Sequence, residues 1–191
     1  MQRIDLTDGW IIYYPEFLTE SKGTHLIEYC LKNLPFDQGS IQLFGKRHVI
    51  PRLESFHSEN GKSYGYSGKK LKTHPFHKEI KDIKDQIESL SGYFFNCVLV
   101  NYYRTGQDSN GWHADNEKEL GNNPVIASLS LGATRRFDLK HNQSSDQLSM
   151  ELTHGSLLIM GGELQHHWKH RIPKQMKINE ARINLTFRFI D

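Results

Sequence analysis

The segment ARINLTFRFI, residues 181–190, reads as a strand with two unlike faces. Arg182 and Arg188 stand six positions apart, an even number, so an extended chain puts both on one face. Ile183, Leu185 and Phe187 take the other face. The apolar face asks for a core. The arginine face, turned into a barrel interior, asks for an anion, because buried charge is costly without a partner. A guanidinium fork suits a carboxylate in a way that an ammonium does not. An edge strand with two exposed arginines fits the same letters, so the neighbouring segments decide.

Upstream, YFFNCVLVNYYR (93–104), VIASLSLG (125–132), RRFDLKH (135–141), LSMELTH (148–154) and SLLIMGG (156–162) are short, β-branched or aromatic, and separated by turn residues. Together with 182–190 they predict a β-sandwich or barrel. WIIYY (10–14) reads as one further strand. THLIEYCLKNLPF places Leu26, Ile27, Cys30, Leu31 and Leu34 on one helical stripe, with Thr24 as its N-cap. A second helix is expected at 76–90, where Phe76, Ile80, Ile83, Ile87 and Leu90 recur at helical spacing. Residues 40–72 read instead as a long irregular region, polar, aromatic and basic, of the kind that often carries function. The expected fold class is mostly β with flanking helices.

The chain of 191 residues is sized for one domain, and 37% hydrophobic residues suffice for a core. No apolar run reaches the roughly 18 residues of a membrane helix, and MQRIDLTDGW lacks the pattern of a secretory signal. Two cysteines, Cys30 and Cys97, build no disulfide framework and point to a reducing compartment. The net charge of +2 conceals a basic stretch. Lys46, Arg47, Arg52, Lys62, Lys69, Lys70, Lys72 and Lys78 face only Glu54 and Glu59 there. Such a stretch suits phosphates, although Lys-rich loops also serve solubility.

NGWHADNE (110–117) carries the chemistry. In a strand, His113 and Asp115 converge on one point. QHHWKHRIP (165–173) offers a third ligand in His166, His167 or His170. Two histidines and one carboxylate form the facial triad of non-haem iron, and zinc hydrolases use the same set. A binding module with surface histidines is a further reading.

The order Asn101-x-Tyr103, His113-x-Asp115, His170, Arg182-x5-Arg188 resembles the AlkB family of iron(II)- and 2-oxoglutarate-dependent dioxygenases. The resemblance covers about residues 40–190. It is strongest for the branch that repairs alkylated bases in duplex DNA, through FGK, YSG, HGSLLIMGG, HHWKHRIP and RINLTFRF. It implies a double-stranded β-helix (jelly-roll) core at about 93–191, preceded at about 1–92 by helices and a nucleotide-recognition lid, in a single domain. It implies that His113, Asp115 and His170 hold Fe(2+), His170 being the histidine twelve residues before Arg182. By the same likeness, Arg188 pairs with the far carboxylate of 2-oxoglutarate, and Arg182, Asn101 and Tyr103 complete that pocket. O2 is the other co-substrate.

On the substrate side the resemblance implies that Tyr64, Tyr66 and Ser67 line the base pocket and Glu117 favours a cationic alkylated base. Phe44 tips a hairpin finger that fills the gap left by a flipped base, and Arg52 lies on that finger near a phosphate. The implied activity is oxidative dealkylation of bases such as 1-methyladenine and 3-methylcytosine, with release of formaldehyde. The same chemistry on RNA or on a protein side chain is the alternative. The expected partner is alkylated DNA, the expected state a monomer, and the expected location nuclear in a eukaryote or cytoplasmic in a bacterium. Ala114 and Asn116 stand where relatives often carry longer or charged residues, and His166 and His167 add imidazoles near the metal.

Overall fold

A computed structural model describes residues 1–43, 46–61, 65–66 and 69–191, with the backbone alone at 41–43, 46–47, 60, 65–66 and 69–70. Phe44, Tyr64 and Ser67 lie outside the described residues, and of Tyr66 only the backbone is described. In chain order, the strands β1 (Gln2–Leu6) and β2 (Gly9–Tyr14) precede helix α1 (Glu20–Asn33). The hairpin β3 (Ser40–Leu43) and β4 (Lys46–Val49) leads into β5 (Leu53–Ser58) and three short strands, β6 (Gly65–Tyr66), β7 (Lys69–Lys70) and β8 (Thr73–His74). After helix α2 (Lys78–Ser91) come β9 (Cys97–Tyr103), β10 (Asn110–His113), β11 (Ile126–Gly132), β12 (Arg135–His141), β13 (Gln147–Leu152) and β14 (Ser156–Gly161). A one-turn helix α3 (Leu164–His167), β15 (Trp168–Ile172) and β16 (Arg182–Arg188) complete the chain.

Eight strands form one sheet in the order β1-β2-β14-β11-β16-β9-β5-β8, and four form a second, β10-β15-β12-β13. The parity of β16 organises both layers. Ile183, Leu185 and Phe187 join Val98, Val100 and Leu129 in a core shared with Leu26, Cys30, Ile80, Ile83 and Ile87 of the two helices. On the opposite face, Leu158 and Met160 of the large sheet pack with Phe137, Leu139, Trp168 and Ile172 of the small one. Two sheets face to face, with helices behind the larger, are the jelly-roll core with flanking helices expected from sequence. Among the described residues no helix is long and apolar enough to cross a membrane.

Three elements differ from the sequence reading. Helix α1 starts earlier than Thr24, capped by Thr19, whose Oγ1 accepts from Lys22 N at 3.4 Å. Gly23 concealed that start. It is buried inside the helix, where a Cβ would stand 2.4 Å from His154 Nε2. Leu31 and Leu90, at the edges of their stripes, are exposed. The region 40–72 is not irregular throughout, because β5 pairs with β9 over Leu53–Ser58 and is buried within the large sheet. That sheet also takes β1, β2 and β8 from the first 92 residues.

Candidate metal centre and co-substrate cavity

The polar face of the large sheet forms the floor of a narrow cavity that opens to solvent. Asn101 and Tyr103 of β9, Ser128 of β11, and Arg182, Asn184, Thr186 and Arg188 of β16 line it. All come from the strand parity opposite the helix-packed core. The buried hydroxyls and amides satisfy one another: Asn184 Nδ2 donates to Ser128 Oγ at 2.8 Å, and Thr186 Oγ1 to Asn184 Oδ1 at 3.0 Å. A satisfied polar layer of this kind is rigid.

At one end of the cavity stand His113, Asp115 and His170, each offering a ligand atom within 4.8 Å of the others. His113 ends β10 and pairs in register with His170 of β15. Asp115 lies two residues past the strand end, in a segment with no regular secondary structure. The backbone N–H of Asp115 donates to Gln165 Oε1 at 2.9 Å, which ties that segment to α3. Of the three histidines in 165–173, His170 joins the cluster, whereas His166 is exposed and His167 sits elsewhere beside Asp8 and Glu163.

The donor set fits a divalent cation. Asp115 Oδ1 and His170 Nδ1 are buried with no hydrogen-bond partner among the described residues. Such orphans are costly unless a ligand meets them. His113 Nδ1 stands 2.8 Å from Gly111 O, so that nitrogen carries the proton; the lone pair is on Nε2, which accepts from Asn110 Nδ2 at 3.1 Å and stands 3.9 Å from Asp115 Oδ1. Burial pushes the His170 imidazole down to about 3, and lowers His113 for the same reason. Burial works against ionisation of Asp115, but the Arg188 guanidinium, helped by the two imidazoles, holds its carboxyl at about 2. All three groups are therefore deprotonated near neutrality, as metal ligation requires.

A second group, Asp8, His141 and His167, has similar spacing and a different hydrogen-bond pattern. His141 Nδ1 accepts from Ser144 N at 2.9 Å and Gln143 N at 3.3 Å. Its proton therefore sits on Nε2, which donates to Asp8 Oδ2 at 3.1 Å. Both ring nitrogens of His141 are thus engaged, and this group ties the β1–β2 turn to the small sheet.

The two arginines have separate surroundings. Arg188 forks onto Asp115 Oδ2, through Nη2 at 2.7 Å and Nε at 3.2 Å, a partner the sequence reading did not name. Arg182 donates one bond, Nη2 to Ser130 Oγ at 2.9 Å, while Nε and Nη1 are buried with no hydrogen-bond partner among the described residues. Burial brings its pKa down to about 10, against the pull of the neighbouring Tyr103 phenol.

Arg52 is not on the β3–β4 hairpin. The chain has left the hairpin by Pro51, and Arg52 is buried, its Nε donating to Asn101 Oδ1 at 2.7 Å. That bond leaves the Asn101 Nδ2 as a donor on the cavity side. Glu117 is half-buried at the start of a 3-10 turn and is not among the cavity-lining residues. Gln165, Asn184 and Ser130 were not anticipated. Asn184 shares the parity of Arg182 and Arg188 and was readable from it, whereas Gln165 gives no sequence signal.

The sequence profile of the 2OG-Fe(II) oxygenase superfamily matches residues 11–188. The human DNA oxidative demethylase ALKBH2 is 37% identical over 194 residues, which cover 96% of this chain and 74% of that protein. The chain belongs to the AlkB family. Human alpha-ketoglutarate-dependent dioxygenase alkB homolog 3 is 34% identical over 190 residues, 94% of this chain and 66% of that one. The chain spans 57% of the length of bovine ALKBH2 and 66% of that of mouse alkB homolog 3. The solved structure of OsALKBH1 superposes with a TM-score of 0.68 at 21% identity, covering 98% of this chain and all of that one, a likeness of fold. Membership implies iron(II) as cofactor and 2-oxoglutarate and oxygen as co-substrates, and the chain carries a His-Asp-His cluster that could hold a metal ion.

Proposed function

We propose that this chain oxidatively dealkylates N-alkylated bases in DNA, such as 1-methyladenine and 3-methylcytosine, releasing formaldehyde. One observation carries the reading: a deprotonated His-Asp-His cluster opens into the same cavity as a buried guanidinium with two unmatched N–H donors. A metal alone would not need Arg182, and an anion alone would not need the triad. The names of relatives such as ALKBH2 specify DNA oxidative demethylation and support the substrate class.

His113, Asp115 and His170 would hold iron(II), which with 2-oxoglutarate and oxygen supplies the oxidising power that hydroxylates the alkyl group. The chain's own residues do the positioning. Arg188 neutralises Asp115 and, by occupying Oδ2, presents Oδ1 to the metal side. Arg182 then takes the far carboxylate of 2-oxoglutarate, the role first expected of Arg188, because its Nε and Nη1 are the unmatched donors. Asn101 Nδ2, fixed by Arg52, donates to the same co-substrate, and the Tyr103 ring packs beside Arg182. Glu117 and residues 44 and 64–67 would meet the flipped base and the strand around it. The enzyme acts as a monomer, in the nucleus of a eukaryote or with the nucleoid of a bacterium.

The test is succinate formation from 2-oxoglutarate in the presence of 1-methyladenine placed in duplex DNA, single-stranded DNA or RNA. Methylated DNA is expected to stimulate it above methylated RNA and unmodified DNA. Stronger stimulation by RNA would move the substrate class to RNA.

A further inference from the structure

The start of β12 holds a charge that the reaction as described does not use. Arg135 is fully buried, and among the described residues no carboxylate pairs with it. Asp108, the nearest acidic residue by contact, gives its carboxylate to Arg104 at 2.8 and 2.9 Å. Arg135 is met by neutral oxygens instead: Nη2 donates to Asp108 O and Pro173 O at 2.8 Å each, and Nη1 to Thr105 O at 3.3 Å. These carbonyls belong to two loops, 104–109 and 173–178, which also bond each other through Gly106 N to Ile178 O and Gln175 N to Gly106 O, both at 2.8 Å.

Carbonyl oxygens satisfy the N–H groups, and the Asp108 carboxylate attracts the charge without pairing with it, so that burial still makes the Arg135 charge harder to hold. The position makes that charge matter. The guanidinium carbons of Arg182 and Arg135 stand 5.2 and 5.6 Å from the centroid of the same Tyr103 ring. Two cations without an ion-paired carboxylate among the described residues therefore flank one ring, Tyr103, that lines the cavity, and Arg135 is one of the groups that makes the Arg182 charge harder to hold. An anion bound at Arg182 relieves both.

We infer that Arg135 is a positioning residue for the far carboxylate of 2-oxoglutarate, acting from behind Tyr103 through its charge and without touching the co-substrate. The inference rests on the proposed binding of 2-oxoglutarate in this cavity. Coulomb attraction in a low-dielectric site falls off slowly enough to act across one ring. The competing role is purely mechanical: a pin holding two loops together.

Charge and pin separate when two ligands are compared. Pyruvate keeps the oxo-acid end of 2-oxoglutarate and lacks the far carboxylate. Dissociation constants of both are measured by calorimetry on the full chain loaded with Mn(II), for wild type, Arg135→Lys and Arg135→Met. Loss of the charge in Arg135→Met should weaken 2-oxoglutarate by about tenfold and pyruvate by less than about twofold. Arg135→Lys keeps the charge and loses most of the carbonyl contacts. It should bind 2-oxoglutarate within about threefold of wild type. Where Arg135→Met does not fold, Arg135→Gln, which retains amide donors for the same carbonyls, reads the same contrast. Equal weakening of both ligands, or Arg135→Lys as damaged as the neutral variant, overturns the inference in favour of the pin. Wild type that binds pyruvate and 2-oxoglutarate equally overturns the underlying reading of the cavity instead.

Discussion

Arg188 Nη2 stands 2.7 Å from Asp115 Oδ2, and its Nε stands 3.2 Å from the same oxygen. Both side chains are almost wholly buried, 3% and 1% exposed. Removing one partner of a buried pair leaves a charge in low dielectric, at a cost of about 3–5 kcal/mol. Asp115→Ala should therefore lose metal binding and also, with both proteins free of metal, unfold on the order of 10 °C lower than wild type. The double variant Asp115→Ala/Arg188→Met should recover much of that temperature and none of the activity. An Asp115→Ala protein as heat-stable as wild type would show that the pair is not the buried contact described.

The two arginines of β16 should fail differently. Arg182→Lys replaces a fork with a point charge at the unmatched donors. It should raise the KM for 2-oxoglutarate by roughly tenfold to a hundredfold, equivalent to about 1.5–3 kcal/mol, with kcat changed less. Arg188→Lys should instead weaken retention of iron, because its partner is a metal ligand. Succinate formation against 2-oxoglutarate concentration, and iron content after dialysis, separate the two. Interchanged phenotypes would return the far carboxylate to Arg188.

Strand parity carried most of what was legible. Even spacing placed Arg182 and Arg188 on the cavity face and Ile183, Leu185 and Phe187 on the core face. What parity could not say is what each arginine meets, because Asp115 arrives from beyond the end of β10. β5 was hidden for a related reason. LESFHS looks like loop sequence, and its Glu, Ser and His are buried by pairing with β9 on one side and β8 on the other. Arg52 was placed one element too early, since nothing local marks Pro51 as the end of the hairpin. Arg135 carries no pattern at all, and only the convergence of two loops on its guanidinium gives it a place.

His57 predicts an acid limb in the stability curve. It is wholly buried, Nδ1 donating to Pro75 O at 2.8 Å and Nε2 meeting Ser55 Oγ at 2.9 Å. Burial lowers its pKa from 6.5 to about 4, so the folded chain binds the proton less readily than the unfolded one. Its neutral form is fully accommodated above about pH 6.5. Stability falls as pH drops from there to about 4, by about 3 kcal/mol in all, and no further below. Buried His170 acts in the same direction, so the comparison is wild type against His57→Gln. In urea titrations the variant should be weaker at pH 7.5 and lose less between pH 7 and 5. Parallel losses in both proteins would remove His57 as the cause.

Gly23→Ala tests the packing of α1. In an ordinary helix interior alanine gains about 1 kcal/mol over glycine. Here the new Cβ would stand 2.4 Å from His154 Nε2. That ring cannot swing away without loss, because Nδ1 accepts from Gly132 N at 2.8 Å and Nε2 reaches Glu20 O at 3.2 Å. The substitution should lower the unfolding temperature, by an amount worth about 1–3 kcal/mol. A rise would mean that the helix and His154 are not in contact.

The central claim is tested most directly by formaldehyde release from a 1-methyladenine oligodeoxynucleotide, with iron(II) and 2-oxoglutarate supplied. Wild type is compared with Asp115→Asn, which replaces the carboxylate beside Arg188 with a neutral side chain of the same shape. The account predicts one formaldehyde per adenine restored with wild type, and none above background with the variant. Adenine restored without formaldehyde, or equal release by the variant, would contradict it.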